Sequence, residues 1–416
     1  MNMNRMHLRI GLVLLMTGVL SACVVKETRP LPQLQAVQAS AEIAEDKLLD
    51  VGIRVFDPGI PEAALEDPEK ADELRVYPDI RRAEARYMAS RLRETLAGTG
   101  QWGVVRVVPT LVDATDLSVD GRIESSDGAQ LRLAIRAVDA TGRVWLEKSY
   151  EGMADTRSYR EGGNLGRDPF QNVYVNIAND LLAARQALSA AQTLEVQRVA
   201  DLRFAGEFAP EAFGGYLAFD KKSGRYRVAR LPATDDPMLQ RVERIRERDA
   251  NLVDAVSDSY ASFSERMDEP YSNWRSYTYE EIQSEEKLKA QARNRIAMGA
   301  IAVAASILVP DNCSGSTCAR VVDAARYGAA AGGVMAVMSG IKKREEAKMH
   351  TDALKELSNS FESEAAPLVV EVEGRTLRLT GTADEQYAEW RKLLQELYRE
   401  EVGLPPAEPA AVPGPG

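Results

Sequence analysis

The chain has 416 residues, a formal net charge of −11 and 28% charged residues. A moderately acidic chain argues against a nucleic-acid partner, because phosphate binding needs a basic surface, and against electrostatic docking on anionic lipid. The length suggests two or three domains, and 45% apolar residues is ordinary for globular protein.

Residues 1–9 carry Arg5 and Arg9 and no acid, residues 10–20 form an apolar run, and small residues follow. This is the order of a secretory signal, and the run is far short of the roughly 20 residues that span a bilayer. Leu20-Ser21-Ala22-Cys23 resembles the lipobox of bacterial lipoproteins. The resemblance implies cleavage between Ala22 and Cys23, diacylglycerol on the Cys23 thiol and an acyl chain on its new amino group. No other cofactor is expected. Several acyl chains together give lasting attachment where one is marginal. Val24 in place of Asp favours the outer membrane, on its periplasmic face. A plain signal peptide with a chance cysteine is the alternative. Residues 23–45, with "KETRPLPQLQ", read as a Pro-rich lipidated tether.

Residues 46–155 read as one α/β domain. Val51, Ile53 and Val55 alternate as a strand closed by Pro58-Gly59. Asp79 reads as an N-cap, and Ile80, Ala83, Tyr87, Met88, Leu92 and Leu96 share a helical face that Gly98 and Gly100 end. "WGVVRVVP" is a second strand. A meander follows, alternating through Leu117, Val119 and Ile123, turning at Asp127-Gly128, alternating back through Leu131, Leu133 and Ile135, and turning at Thr141-Gly142. This β-α-β-β-β order, with Asp120-Gly121-Arg122-Ile123 and then Asp139, Gly142 and Trp145, resembles the α/β domain of envelope lipoproteins of the CsgG and LpoB kind. The resemblance covers about a quarter of the chain. It implies a non-enzymatic domain that binds partners or assembles into rings.

Residues 165–290 read as mostly helical. A long helix over 165–200 carries Phe170, Val173, Ile177, Leu181 and Leu188 on one stripe, and a hairpin turns at Ser223-Gly224. Asp235-Asp236-Pro237 opens a further helix, with Val242, Ile245, Leu252, Val253, Val256, Tyr260 and Phe263 along one face. Aromatics concentrate over 260–279. Tyr271, Trp274 and Tyr277 form a candidate exposed contact surface for sugar or peptide; the alternative is an aromatic seam between helices.

Residues 291–345 are rich in Gly and Ala and read as a helical hairpin. Gly328, Gly332, Ala336 and Gly340 recur every four residues, a spacing that lets helix backbones approach closely. Ile296–Val309 and Tyr327–Ile341 are uncharged over 14 and 15 residues, each roughly 21–22 Å of helix against a hydrocarbon core of about 30 Å. The readings are a packed hairpin or oligomer interface on one side and partial or full bilayer insertion on the other. Cys313 and Cys318 lie between the arms. In the oxidising compartment that the lipobox implies, a local disulfide is the natural state, with free thiols and metal binding as alternatives. A lone C-x₄-C is a weak zinc signal, and no metal site is assigned.

Residues 346–403 read as an α-β-β-α unit with a hairpin at Glu373-Gly374. Its last helix opens on the capping-box form Thr382-Ala383-Asp384-Glu385 and carries Tyr387, Trp390, Leu393, Leu394 and Leu397 on one side. The pattern "EVEGRTLRLTGTA" is similar to the BON domain of envelope proteins, which implies attachment to lipid or partners. Residues 404–416 read as a disordered tail.

The expected fold is thus α+β and multidomain. No G-x-S-x-G, P-loop, H-E-x-x-H or dinucleotide fingerprint occurs, and no catalytic residue is assigned. The functional expectation is a lipid-anchored, non-catalytic envelope scaffold with protein partners and no nucleic acid. A membrane-active homo-oligomer that forms or seals a conduit is the alternative, and an envelope hydrolase using carboxylates is a third reading.

Overall fold

The computed structural model describes residues 32–109, 115–155, 157–159, 167–233, 235–308, 352, 355–356, 368–372, 375–379 and 382–403, with the backbone alone for 286–308, 368–372 and 375–377. Cys23, Cys313, Cys318, Gly328, Gly332, Ala336 and Gly340 lie outside the described residues, as do residues 404–416. The fold is α+β. A five-stranded sheet in the order β2-β1-β3-β4-β5 is built from β1 (Val51–Arg54), β2 (Val105–Val108), β3 (Leu117–Ser126), β4 (Gln130–Asp139) and β5 (Val144–Met153). β1 runs parallel to both neighbours, and β3-β4-β5 is an antiparallel meander. Alternation places Leu117, Val119, Ile123, Leu131, Leu133 and Ile135 in the core. On the other face, Arg122, Arg132 and Arg136 are exposed, and each pairs with an acid, Asp57, Glu151 and Glu147 respectively.

The crossover from β1 to β2 holds three helices rather than one: α1 (Glu62–Glu66), α2 (Pro68–Leu74) and α3 (Pro78–Ala97). Asp67 caps α2 by accepting from the Glu69 amide at 2.8 Å, with Pro68 at the first helical position. The predicted cap Asp79 instead lies in the first turn of α3, which starts at Pro78. The apolar face read for α3 is buried throughout.

The single helix expected over 165–200 is two, α4 (Gln171–Gln186) and α5 (Ala190–Phe208). Ser189 and Gln192 form a reciprocal capping box at the break, which outweighs the continuing apolar period. α4 lies beside α3 on the buried face of the sheet, where Gly152 of β5 leaves room for Val173. α5 crosses the opposite end of the sheet, with Gln197 Nε2 donating to Leu48 O at 2.9 Å. After the short α6 (Pro210–Phe213), the hairpin β6 (Leu217–Asp220) and β7 (Arg225–Val228) stands against the β4–β5 turn, where Tyr226 N donates to Thr141 O at 2.8 Å.

α7 (Pro237–Leu308) is a helix of 72 residues. It runs through the boundary expected at 290/291 without a break, so that division is not one of secondary structure. The apolar face read from Val242 to Phe263 is buried. α7 covers the edge strand β2, with Ser257 Oγ accepting from Val107 N at 3.1 Å and Asp254 holding Arg106 at 2.5 and 3.1 Å. It packs antiparallel to α3, meeting Ser90 at Tyr260, Arg91 at Asp268, Glu84 at Tyr271 and Arg75 at Glu285. Its first turns join a second core with the end of α5, α6 and α8 (Ala383–Glu401). β8 (Leu368–Val372) and β9 (Arg375–Leu379) pair antiparallel, the turn expected at Glu373-Gly374 lies outside the described residues, and Thr382 and Glu385 make the expected capping box.

Part of the expected tether is docked. From Pro32 to Ala39 the chain runs along α4: Asn172 Oδ1 accepts from Leu34 N at 3.0 Å, Asn179 Oδ1 from Val37 N at 2.9 Å, and Ala39 N donates to Thr99 O at 2.9 Å. Extended backbone has unpaired amides, and the two asparagines of α4 satisfy them.

Two glycines test this packing. A Cβ at Gly128 would meet the α7 backbone at Arg275 and, at 2.8 Å, at Tyr279 N, whereas one at Gly206 in α5 meets nothing within 4 Å. Gly128→Ala therefore lowers the melting temperature, and Gly206→Ala raises stability by up to about 1 kcal/mol through helix propensity. Thermal melts of the two variants against the parent check both signs.

Candidate functional site

Two places in the body concentrate chemistry, one at each end of the sheet. The first is a buried charge cluster where the N-termini of α3 and α4 meet α7 and the β3–β4 turn. Arg275 of α7 and Asp168, just before α4, pair at 2.8 Å with side chains only 4% and 1% exposed. The Arg275 guanidinium also lies 4.1 Å from the centroid of Tyr271. Tyr87 Oη sits 3.0 Å from Asp168 and 2.9 Å from Asp268, so one proton is shared between two carboxylates, and it accepts from Arg91 Nε at 3.0 Å. Glu84 accepts from Tyr271 at 2.6 Å and from Ser126 at 2.7 Å, with Arg81 Nε 3.6 Å away. Glu84 Oε2, Arg81 Nη1 and Arg275 Nε have no hydrogen-bond partner among the described residues.

The two carboxyls titrate in opposite directions. Burial pushes Glu84 up, against the opposing pull of Arg81, Tyr271 and Ser126. Burial would raise Asp168 too, but the charge and hydrogen bond of Arg275 and the Phe170 amide prevail and hold it below the usual range. A buried pair of this kind loses hydration that its attraction must repay, and the aromatic cage supplies part of that.

The sequence-predicted contact surface lies inside this cluster. Tyr271 is 0% and Trp274 5% exposed; Tyr271 stacks on Trp274 at 5.9 Å and meets Tyr87 edge-on at 4.9 Å, and Tyr277 is half-buried. The exposed aromatic surface expected there is corrected to a seam between α3 and α7. Helical spacing of aromatics marks a face without saying what covers it.

The second place is an open groove of about 440 Å³ at the other end of the sheet, bounded by α5, α6 and the β6–β7 hairpin. Gly206 opens its floor. Phe219, 49% exposed, pairs with Tyr226 at 4.6 Å, and Arg203 lies 5.1 Å from the Tyr226 ring. Glu207 on the rim is held by Arg391 of α8. Sequence reasoning found the hairpin but not the groove. The available signal was the pair Phe219 and Tyr226, which alternation places on one face of that hairpin. Among the described residues no group of three or more His, Cys, Asp or Glu is placed to hold a metal ion. No family model matches the chain, and no curated protein matches it.

The buried cluster has a testable pH signature. Asp168→Asn leaves the Arg275 charge uncompensated and costs about 3–5 kcal/mol. Asp168 stabilises the fold above its unfolded value of about 3.9, and that contribution is lost as pH falls through the lower folded value. Glu84 is the reverse: the preference for its neutral form is present below about 4.3 and is lost as pH rises. Glu84→Gln is therefore at least as stable as the parent at neutral pH, while Asp168→Asn is the less stable and flattens the acid limb. Urea unfolding between acid and neutral pH measures both.

Proposed function

We propose that this protein is a lipid-anchored, non-catalytic envelope lipoprotein that holds a partner-binding body off the periplasmic face of the outer membrane. The observation that carries the reading is Leu20-Ser21-Ala22-Cys23 behind an apolar run, followed by a short polar segment that leads into a structured body. Two features of the body support a scaffold. Two buried ion pairs, Asp168 with Arg275 and Asp249 with Arg391, tie α7 to the segment before α4 and to α8, which suits a rigid support. The groove with exposed Phe219 lies at the end of the sheet remote from Pro32, where the described chain begins. Aromatic residues are enriched where proteins meet. Partners are therefore envelope proteins, with the membrane engaged through the lipid.

Mass spectrometry of the N-terminal peptide tests the anchor. The wild-type chain should begin at Cys23 and carry a diacylglycerol and an N-acyl group; Cys23→Ser should carry neither. An unmodified Cys23 in the wild-type chain ends the reading. Photo-crosslinkers at Phe219 and Tyr226 should then yield a discrete hetero-complex in envelopes. A ladder of homo-oligomers would favour the conduit-forming alternative.

A further inference from the structure

The polarity of the fold carries one step further. Residues Pro32–Ala39 run along α4 from its first turn, at Asn172, toward its last. Traced backwards, the chain toward Cys23 leaves the body at the N-terminal end of α4, beside Asp168. α7 runs antiparallel to α3 and reaches that same end: Arg275 bonds Asp168, Tyr279 packs on Tyr159 at 5.2 Å, and Glu285 pairs with Arg75 ahead of the first turn of α3. The helix then continues to Leu308. The anchor segment and the far end of α7 thus depart from one end of the sheet.

The lengths agree as well. Residues 23–31 extend to at most roughly 30 Å. From Tyr279, the last aromatic of the seam, to Ile296 the helix rises roughly 25 Å. Ile296–Leu308 carries no charge, and the last four charges before it, Lys287, Lys289, Arg293 and Arg295, are all basic. Such an order places cations at the level of lipid phosphate and apolar residues beyond it. Thirteen residues give roughly 20 Å of helix, against a core of about 30 Å, and among the described residues no helix is long and apolar enough to cross a membrane.

We infer that Ile296–Leu308 of α7 is a second lipid contact that dips into the leaflet holding the acyl chains of Cys23. The end of the sheet carrying the Arg275–Asp168 pair then faces the membrane and the Phe219 groove faces away. The inference rests on the proposed anchor for this orientation only, since the apolar helix end binds lipid without an acyl chain.

The test therefore uses the mature chain, residues 23–416, with Cys23→Ser, mixed with phosphatidylethanolamine–phosphatidylglycerol vesicles and floated on a density gradient. It should float with the vesicles, and adding Ile301→Asp should cut the bound fraction by about tenfold or more, as expected for a charge moved toward hydrocarbon. Circular dichroism and an unchanged melt of the Asp variant show that the body is intact. If the Cys23→Ser chain stays in the soluble fraction, or if Ile301→Asp floats equally well, the inference is overturned. Neither result bears on acylation, which the mass of the Cys23 peptide reports separately.

Discussion

The Arg275–Asp168 pair fixes the register on which the rest of the structure depends. An apolar seam of the kind formed by Val256, Tyr260, Phe263, Met267, Tyr271 and Trp274 tolerates sliding by a turn, because one large side chain substitutes for another in the same slot. A buried guanidinium does not. Moved by one turn, about 5.4 Å, Arg275 would leave two charges without partners in a dry site, at a cost of several kcal/mol each. The pair is poor evidence of net stability and good evidence of specificity. It selects one placement of α7 against α3 and α4, and with it the docking of Asp254 and Ser257 on the edge of β2.

That placement matters because α7 serves both cores. Its first turns pack with α5, α6 and α8, and its middle packs with α3 and the sheet. Asp249, pushed up by burial against the pull of Arg391 and Tyr387, marks the first region, and Arg275 marks the second. One continuous helix pinned by buried polar groups at two points along its length behaves as a beam. Pro270 falls between them and removes one main-chain bond. Tyr271, Trp274 and Arg275, immediately after it, restore the fixation through side chains.

Much of this was legible in the sequence wherever one period dominates. The alternation of Leu117, Val119 and Ile123 with Leu131, Leu133 and Ile135 gave the meander, and the spacing from Ile80 to Leu96 gave α3, because each period allows one buried face. The α5 start at Ser189 was also written in the chain as Ser-x-x-Gln, directly after Leu188, the last residue of the stripe read for a single helix. The site was not legible. Arg275 and Asp168 are 107 residues apart, and no local rule pairs them. Tyr271 and Trp274 show the same ambiguity at closer range. An aromatic stripe at helical spacing has the same sequence whether it faces solvent or another helix, and only the presence of α3 decides.

The two ends of the sheet therefore carry different chemistry for a topological reason. In a meander of ten-residue strands the β3–β4 and β4–β5 turns lie roughly 30 Å apart. The first turn abuts α7 through Gly128, where only a residue without a side chain lets two backbones touch; the second supports the β6–β7 hairpin through Gly142, whose positive φ of 86° suits glycine. Each glycine turn thus docks a different element. The former binds the helix that leaves the body, and the latter positions the Phe219 and Tyr226 rings over α5. A body anchored near the first turn would present the second at its far side. The separation follows from strand length and from the direction in which α4 and α7 run, and it does not depend on which partner the groove takes.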